Sequence, residues 1–200
     1  MKKLQVFHMN KACRLVIVVG GAALLGCSTA YQTYRSDMST GKTMLDAGEY
    51  GQARETFIGA AKAQPSEAAS YAMAATASYK LNDLQAASES ITEAAKRDNH
   101  SDAYIRILGY KALILLRQGR EKEGLDALHA YIVAYEREYG PQNVREVRAM
   151  WRSTHIDLPA LERFLDAEIA VFESDMQQYR NSGTGWFAQK YGSTTPVTSR

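Results

Sequence analysis

Small and apolar residues recur at three- and four-residue steps between 47 and 65: Tyr50, Ala53, Phe57 and Ala60, followed by Gln64 and Pro65. That is the period of one buried helix face. Gly48 precedes the stripe and Pro65 stops it, so the spacing predicts one helix ending near 47 and the next over about 50–63. The pattern returns 34 residues on, with Asn82 for Gly48, Leu84 for Tyr50, Ala87 for Ala53, Ile91 for Phe57, Ala94 for Ala60 and Asn99 for Pro65. Gly and Asn tolerate a left-handed helix end at little cost. Gly119 takes a similar place 37 residues after Asn82. The alanines let two helix backbones approach, and Phe57 and Ile91 fill the space between successive hairpins. One hairpin cannot bury its apolar face alone, so neighbours must stack.

The same periodicity sets out the remaining elements. Ser36 or Asp37 caps a first helix running to about Ala47. A third helix opens at Ser66 and Glu67 and ends near Leu81, and a fourth covers about 83–97. The fifth, about 102–118, carries Ile105, Ile107, Leu108, Leu113, Ile114, Leu115 and Leu116 and is apolar nearly all round, which predicts burial. Arg106 and Lys111 argue against its being a membrane span. A sixth runs over about 120–139 with Leu125, Leu128, Ile132 and Tyr135 at helical spacing. Pro141 and Pro159 suit first helical positions and open a seventh helix to about 153 and an eighth over 159–180. The eighth has the stripe Leu161, Phe164, Leu165, Glu168, Ile169, Phe172. From 181 to 200 the composition turns to Gly, Ser, Thr and Pro, which predicts a tail of little order. Trp186, Phe187 and Tyr191 interrupt it, either as a docking motif or as packing against the last helix.

A period of 34 with Ala-x3-Phe and a terminal Pro, as in Ala53, Phe57 and Pro65, resembles the tetratricopeptide repeat. The match is closest over 34–99, extends to about 139 and fades beyond, because the third unit is three residues too long. The resemblance implies an all-α protein: a right-handed α-solenoid of about three hairpins over 37–139, followed by a C-terminal helical pair over 140–180. In that family the first helix of each hairpin lines a concave groove that holds extended peptides or partner helices. By repeat register the resemblance places Arg35, Met38, Lys42 and Leu45 there, with Ala72, Thr76, Tyr79 and Lys80 from the second unit and Arg106, Leu113 and Arg117 from the third. The five cations would meet carboxylates of a partner protein, with Met38 and Tyr79 supplying buried contact. The family's carboxylate-clamp form sets Asn beside such cations. No Asn falls there, so capture of a C-terminal carboxylate is not implied.

The N-terminus carries a different signal. Lys2, Lys3, Lys11 and Arg14 form a basic start without an acid, and Leu15 to Gly26 is an apolar run of 12 residues. A bilayer-spanning helix needs roughly 20 apolar residues, so the run suits a signal peptide over 1–26. It ends in Leu24-Leu25-Gly26-Cys27, which resembles the lipobox of bacterial lipoproteins. That resemblance implies cleavage before Cys27, fatty acylation including palmitate, and three acyl chains, enough for a stable anchor. Ser28 in place of Asp after the lipidated Cys implies the outer membrane, with the folded part facing the periplasm. Residues 28–36 read as a short polar tether reaching at most about 30 Å.

Removing 1–26 changes the charge balance. Of 24 Lys and Arg, four leave, so 20 basic residues face 22 acidic ones in a mature chain of 174. A slightly acidic exported chain has no reason to bind nucleic acid. Cys13 leaves with the signal and Cys27 is consumed by lipid, so no disulfide is expected. Sequence signals for catalysis are absent. His100, His129 and His155 show no metal spacing, and no Gly-rich phosphate loop or nucleophile elbow occurs. Glu121, Glu123, Asp126, Glu136 and Glu138 read as solvated helix faces. The sequence therefore points to a non-enzymatic protein–protein interaction scaffold in the envelope, without cofactor, metal or small-molecule substrate. Its resemblance to lipidated periplasmic repeat proteins implies an accessory subunit of an outer-membrane or periplasmic assembly or secretion machine. The alternative is a cell-wall enzyme or a regulator of one, which would need a pair of acids facing each other across a cleft.

Overall fold

The computed structural model describes the backbone of residues 11–99 and 101–192, and side chains from Thr29 onward. Most of the 1–26 signal, the Cys27 side chain, His100 and the tail from 193 fall outside what is described. Among the described residues the chain is all-helical, without strands. Its helices are α1 (Lys11–Asp46), α2 (Tyr50–Ala63), α3 (Ala68–Lys80), α4 (Leu84–Arg97), α5 (Tyr104–Arg117), α6 (Glu121–Tyr139), α7 (Arg145–Trp151), α8 (Leu158–Ser182) and α9 (Trp186–Tyr191). A short 3-10 turn, Pro141–Val144, leads into α7. Adjacent helices pack in pairs: α1 on α2, α3 on α4, α5 on α6.

Three turns close the pairs with one geometry. Gly48, Asn82 and Gly119 have φ of 80°, 60° and 74°, and Asn82 is the sole non-glycine with positive φ among the described residues. In each turn the left-handed residue donates its N–H three residues back, to the carbonyls of Leu45, Tyr79 and Leu116. The next N–H donates five residues back, to Met44, Ser78 and Leu115. Carbonyls that a helix end leaves unpaired are thereby satisfied. The step from Asn82 to Gly119 exceeds the first by three because the α4–α5 connection has six residues where α2–α3 has four, and α5 is one residue longer than α3.

Two clusters of buried side chains hold the pairs together. The smaller contains Ala53, Phe57, Met73, Ala74 and Ala77, with Met38, Met44, Leu45 and Ile58 packed against it. Gly41, in the middle of α1, lies flat on the Phe57 ring: a Cβ there would sit 2.6 Å from Cε1. Phe57 therefore forces a glycine on the facing helix, despite the cost of glycine in a helix interior. The larger cluster runs from Ala87 and Ile91 through α5 and α6 to Leu161, Leu165, Ile169 and Phe172 of α8 and Phe187 of α9. The all-round apolar surface of α5 is explained by its neighbours, since α3, α4, α6 and α8 all pack on it.

Two segments differ from the sequence reading. Residues 28–36, read as a tether, continue α1 without a break. The stretch contains no Gly or Pro to interrupt a helix. Residues 181–192, read as tail, complete α8 and form α9. Gly183, left-handed at φ 64°, ends α8, and Phe187 is buried behind it. Lys190 Nζ donates to the carbonyls of Arg137 (2.5 Å) and Glu138 (3.0 Å), tying α9 to the C-terminal end of α6. A cation is favoured at that end of a helix dipole.

Candidate partner-binding face

The first helices of the second and third pairs, α3 and α5, present one shared face, and α8 lies along it. Opposite charges line the contact. Lys80 Nζ is 2.5 Å from Glu162 and 2.6 Å from Asp166. Arg106 forms a two-point fork on Glu173, Nε at 2.7 Å and Nη2 at 3.1 Å, while Nη1 donates to Thr76 Oγ1 at 3.2 Å. Arg117 Nη2 reaches Glu162 at 3.4 Å, and its guanidinium stacks 4.1 Å from the centre of the Tyr79 ring. Tyr79 donates to Glu162 at 3.2 Å and Tyr110 to Asp166 at 2.6 Å. Glu162, Asp166 and Glu173 stand at i, i+4 and i+11 of α8, which puts all three on one side of the helix. The pairing order shows that α8 runs antiparallel to α5: Glu162 meets Arg117, Glu173 meets Arg106, and Arg180 meets Asp102 at 2.6 Å.

The other side of α8 meets α6 through tyrosines. Tyr131 donates to Glu168 at 2.7 Å and Tyr139 to Asp175 at 2.8 Å. Between the two polar rails lie Leu161, Leu165, Ile169 and Phe172, each at most 1% exposed. Phe164, part of the expected stripe, points away and is 38% exposed.

Burial changes the proton affinities here. It pulls the Arg106 guanidinium down, but the Glu173 charge and hydrogen bonds outweigh it and the group is held above its ordinary value. Lys80 behaves alike: burial lowers it, and Asp166 and Glu162 more than offset that. Glu168 goes the other way. Burial pushes its carboxyl up to about 7 despite the Tyr131 hydrogen bond, with Glu146 adding to the rise. Burial also pushes the Tyr110 and Tyr131 hydroxyls well above their ordinary range.

Magnitudes decide what α8 is to this face. Burying Leu161, Leu165, Ile169 and Phe172 contributes roughly 6–12 kcal/mol at most, at about 1.5–3 each. That is of the order of a domain's whole stability, about 5–15 kcal/mol. The ion pairs are partly exposed and add less. The helix is a wall of the protein rather than a bound segment that comes and goes.

The residues expected in a partner groove are therefore divided. Thr76, Tyr79, Lys80, Arg106 and Arg117 touch α8 or one another. Ala72 and Leu113 are fully buried. Arg35 and Lys42 are exposed, and Met38 and Leu45 are half-buried against the smaller core. The acids on α8 that meet the cations went unrecognised in the sequence, although their i, i+4, i+11 spacing was visible there. Glu138, read as solvated, is 7% exposed and accepts from Lys190 Nζ at 3.0 Å and Tyr191 Oη at 2.8 Å. Burial alone would raise its carboxyl, but those two donors hold it below the usual range. Glu121, Glu123 and Asp126 are exposed, as expected. His129 stacks on Trp151 at 4.7 Å.

Among the described residues no group of His, Cys, Asp and Glu is arranged to hold a metal ion. None of the described helices is long and apolar enough to cross a membrane. Comparison with known proteins finds no protein-family model that fits the chain and no curated protein that matches it. Fold and face together define the class: an all-helical protein of paired helices with one face closed by its own α8.

Proposed function

We propose that this chain is a membrane-anchored scaffold for protein–protein contacts, built as a tetratricopeptide-like right-handed solenoid. Lipid on Cys27 holds it at the outer membrane, where it serves as an accessory subunit of an envelope assembly or secretion machine. One observation carries the reading. The first helices of the second and third pairs use cations at repeat-equivalent places to hold a helix by its carboxylates, which is how a groove of this kind engages a partner. The identical turns at Gly48, Asn82 and Gly119, and the small residues Ala53 and Ala87 under them, support the repeat architecture. The anchor rests on the Leu-Leu-Gly-Cys motif alone.

Two experiments test it. Cys27→Ala should abolish labelling by radioactive palmitate and leave the precursor uncut, and equal label in variant and parent would remove the anchor. Site-specific crosslinking in intact envelopes should trap a defined protein on the helical domain. Absence of any crosslinked species from several surface positions would remove the scaffold.

A further inference from the structure

α8 covers the face of α3 and α5, and its backbone lies closest to α5, α7 and α9. Its last turns end beside α1, where Arg180 pairs with Asp102 and the charge of Lys42 reaches that same Asp102. Burial raises the Tyr34 hydroxyl of α1, Glu67 adds to the rise, and the charges of Arg180 and Asp102 act on it more weakly. The end of α8 thus adjoins α1, where Arg35 and Lys42 are exposed.

Lys80, Arg106 and Arg117 lie on the face under α8, and Arg35 and Lys42 lie on α1. Lys80, Arg106 and Arg117 each hold a carboxylate of α8. Arg35 and Lys42 are exposed and have no ion pair or hydrogen bond among the described residues. They stand seven residues apart, two helical turns or about 10.5 Å, with half-buried Met38 between them. One turn earlier the rings of Tyr31 and Tyr34 stack at 6.3 Å and extend the apolar floor. Asp37, the acid nearest Arg35 in sequence, is turned aside toward Gly59 of α2, and Asp46, four residues after Lys42, forms no ion pair with it among the described residues.

We infer that the Arg35–Met38–Lys42 stretch of α1 is a docking site for a partner helix that carries carboxylates two turns apart around an apolar side chain. The charge is complementary, and the chain's own α8 shows the ligand type that the adjoining face of α3 and α5 takes: a helix whose acids meet cations while its apolar residues fill the gaps between them. This rests on the scaffold reading above. An anionic lipid surface offers charge and apolar chains but no pair of carboxylates at a fixed two-turn spacing.

The test is fluorescence anisotropy with the full chain in detergent and a labelled helical peptide of about five turns. One peptide carries two Glu seven residues apart flanking Leu, and its control carries Gln at both positions. The Glu peptide should bind at least about tenfold tighter than the Gln peptide, the preference collapsing at high salt. The double variant Arg35→Glu, Lys42→Glu should lose it while melting like the parent. Equal binding of both peptides, or binding that survives the double variant, overturns the site. Binding to anionic phospholipid vesicles that depends on Arg35 and Lys42, with the peptide ignored, overturns the helical partner in favour of a membrane surface. Photo-crosslinkers at Met38 and at Val171, on the outer side of α8, separate this site from the scaffold reading. A partner trapped only at Val171 removes the α1 site and leaves the scaffold, while capture at neither removes both.

Discussion

The two ends of the helical domain are built differently. Where α1 meets α2, one aromatic ring lies on one glycine, in a cluster of five buried residues of which Met73, Ala74 and Ala77 come from α3. In α5, α6, α8 and α9, a continuous core joins Tyr110, Tyr131, Phe172 and Phe187, and every cation on the shared face is engaged. The same kind of hairpin is thus an open edge at one end and a sealed unit at the other. What separates them is whether a further helix lies across the first helix of the pair. Stability follows buried area, so the open end should be the first to loosen.

The sharpest break in this contrast comes from the two phenylalanines. Phe172→Ala should cost about 3–5 kcal/mol and shift the main urea transition. Phe57→Ala costs a similar amount locally, but should free α1 and α2 ahead of the rest. Hydrogen exchange would then show 41–63 exchanging before α5 does. A single coincident transition in both variants would mean that the ends fold as one unit.

Charge separates the ends next. Arg106→Leu leaves Glu173 without its fork and should cost about 2–3 kcal/mol, toward the low side for a broken buried pair because Glu173 keeps some contact with water. Adding Glu173→Leu should recover part of that. Arg35→Leu, at the open end, should change chemical stability by less than about 0.5 kcal/mol. If Arg106→Leu is equally silent, the ion pairs do not help seal the face.

Turn substitutions are milder. Gly48→Val should cost about 1–2 kcal/mol, because a β-branched residue resists a left-handed backbone. An added Cβ there meets nothing within 4 Å, so the cost is conformational alone. Asn82→Gly should be neutral or slightly stabilising, since glycine adopts φ of 60° without strain. Thermal melts decide both.

A further difference should come from pH. Glu168 has a folded pKa of about 7, above its unfolded value of about 4.5. The folded state therefore binds the proton more tightly, and stability falls as pH rises from about 4.5 through 7. Glu168→Gln should flatten that slope and melt higher than the parent above pH 7. An unchanged slope would show that Glu168 is not the group responsible.

Much of the local structure was legible because backbone chemistry leaves few choices. Gly48, Asn82 and Gly119 are residue types suited to positive φ, and the Ala53–Phe57–Ala60 spacing placed α2 at its observed bounds. The path of α8 was not legible. Glu162, Asp166 and Glu173 look on a helical wheel like any solvated flank, and nothing local says that Lys80 lies opposite. The cation stripe was read as selecting carboxylates from outside, whereas three of its five members find them within the chain. α9 was hidden for a related reason. Its surroundings are rich in Gly, Ser and Thr, and its order comes from Phe187 and Lys190 meeting α6, a contact far away in sequence.

The position of α8 along the chain also governs the order of assembly. Glu162 follows Lys80 by 82 residues. At about 5–20 residues per second, synthesis makes the basic surface roughly 4–16 s before the carboxylates that close it. Throughout that interval the nascent hairpins display an uncovered, partly apolar surface. A chaperone has its best opportunity to hold the chain in that interval.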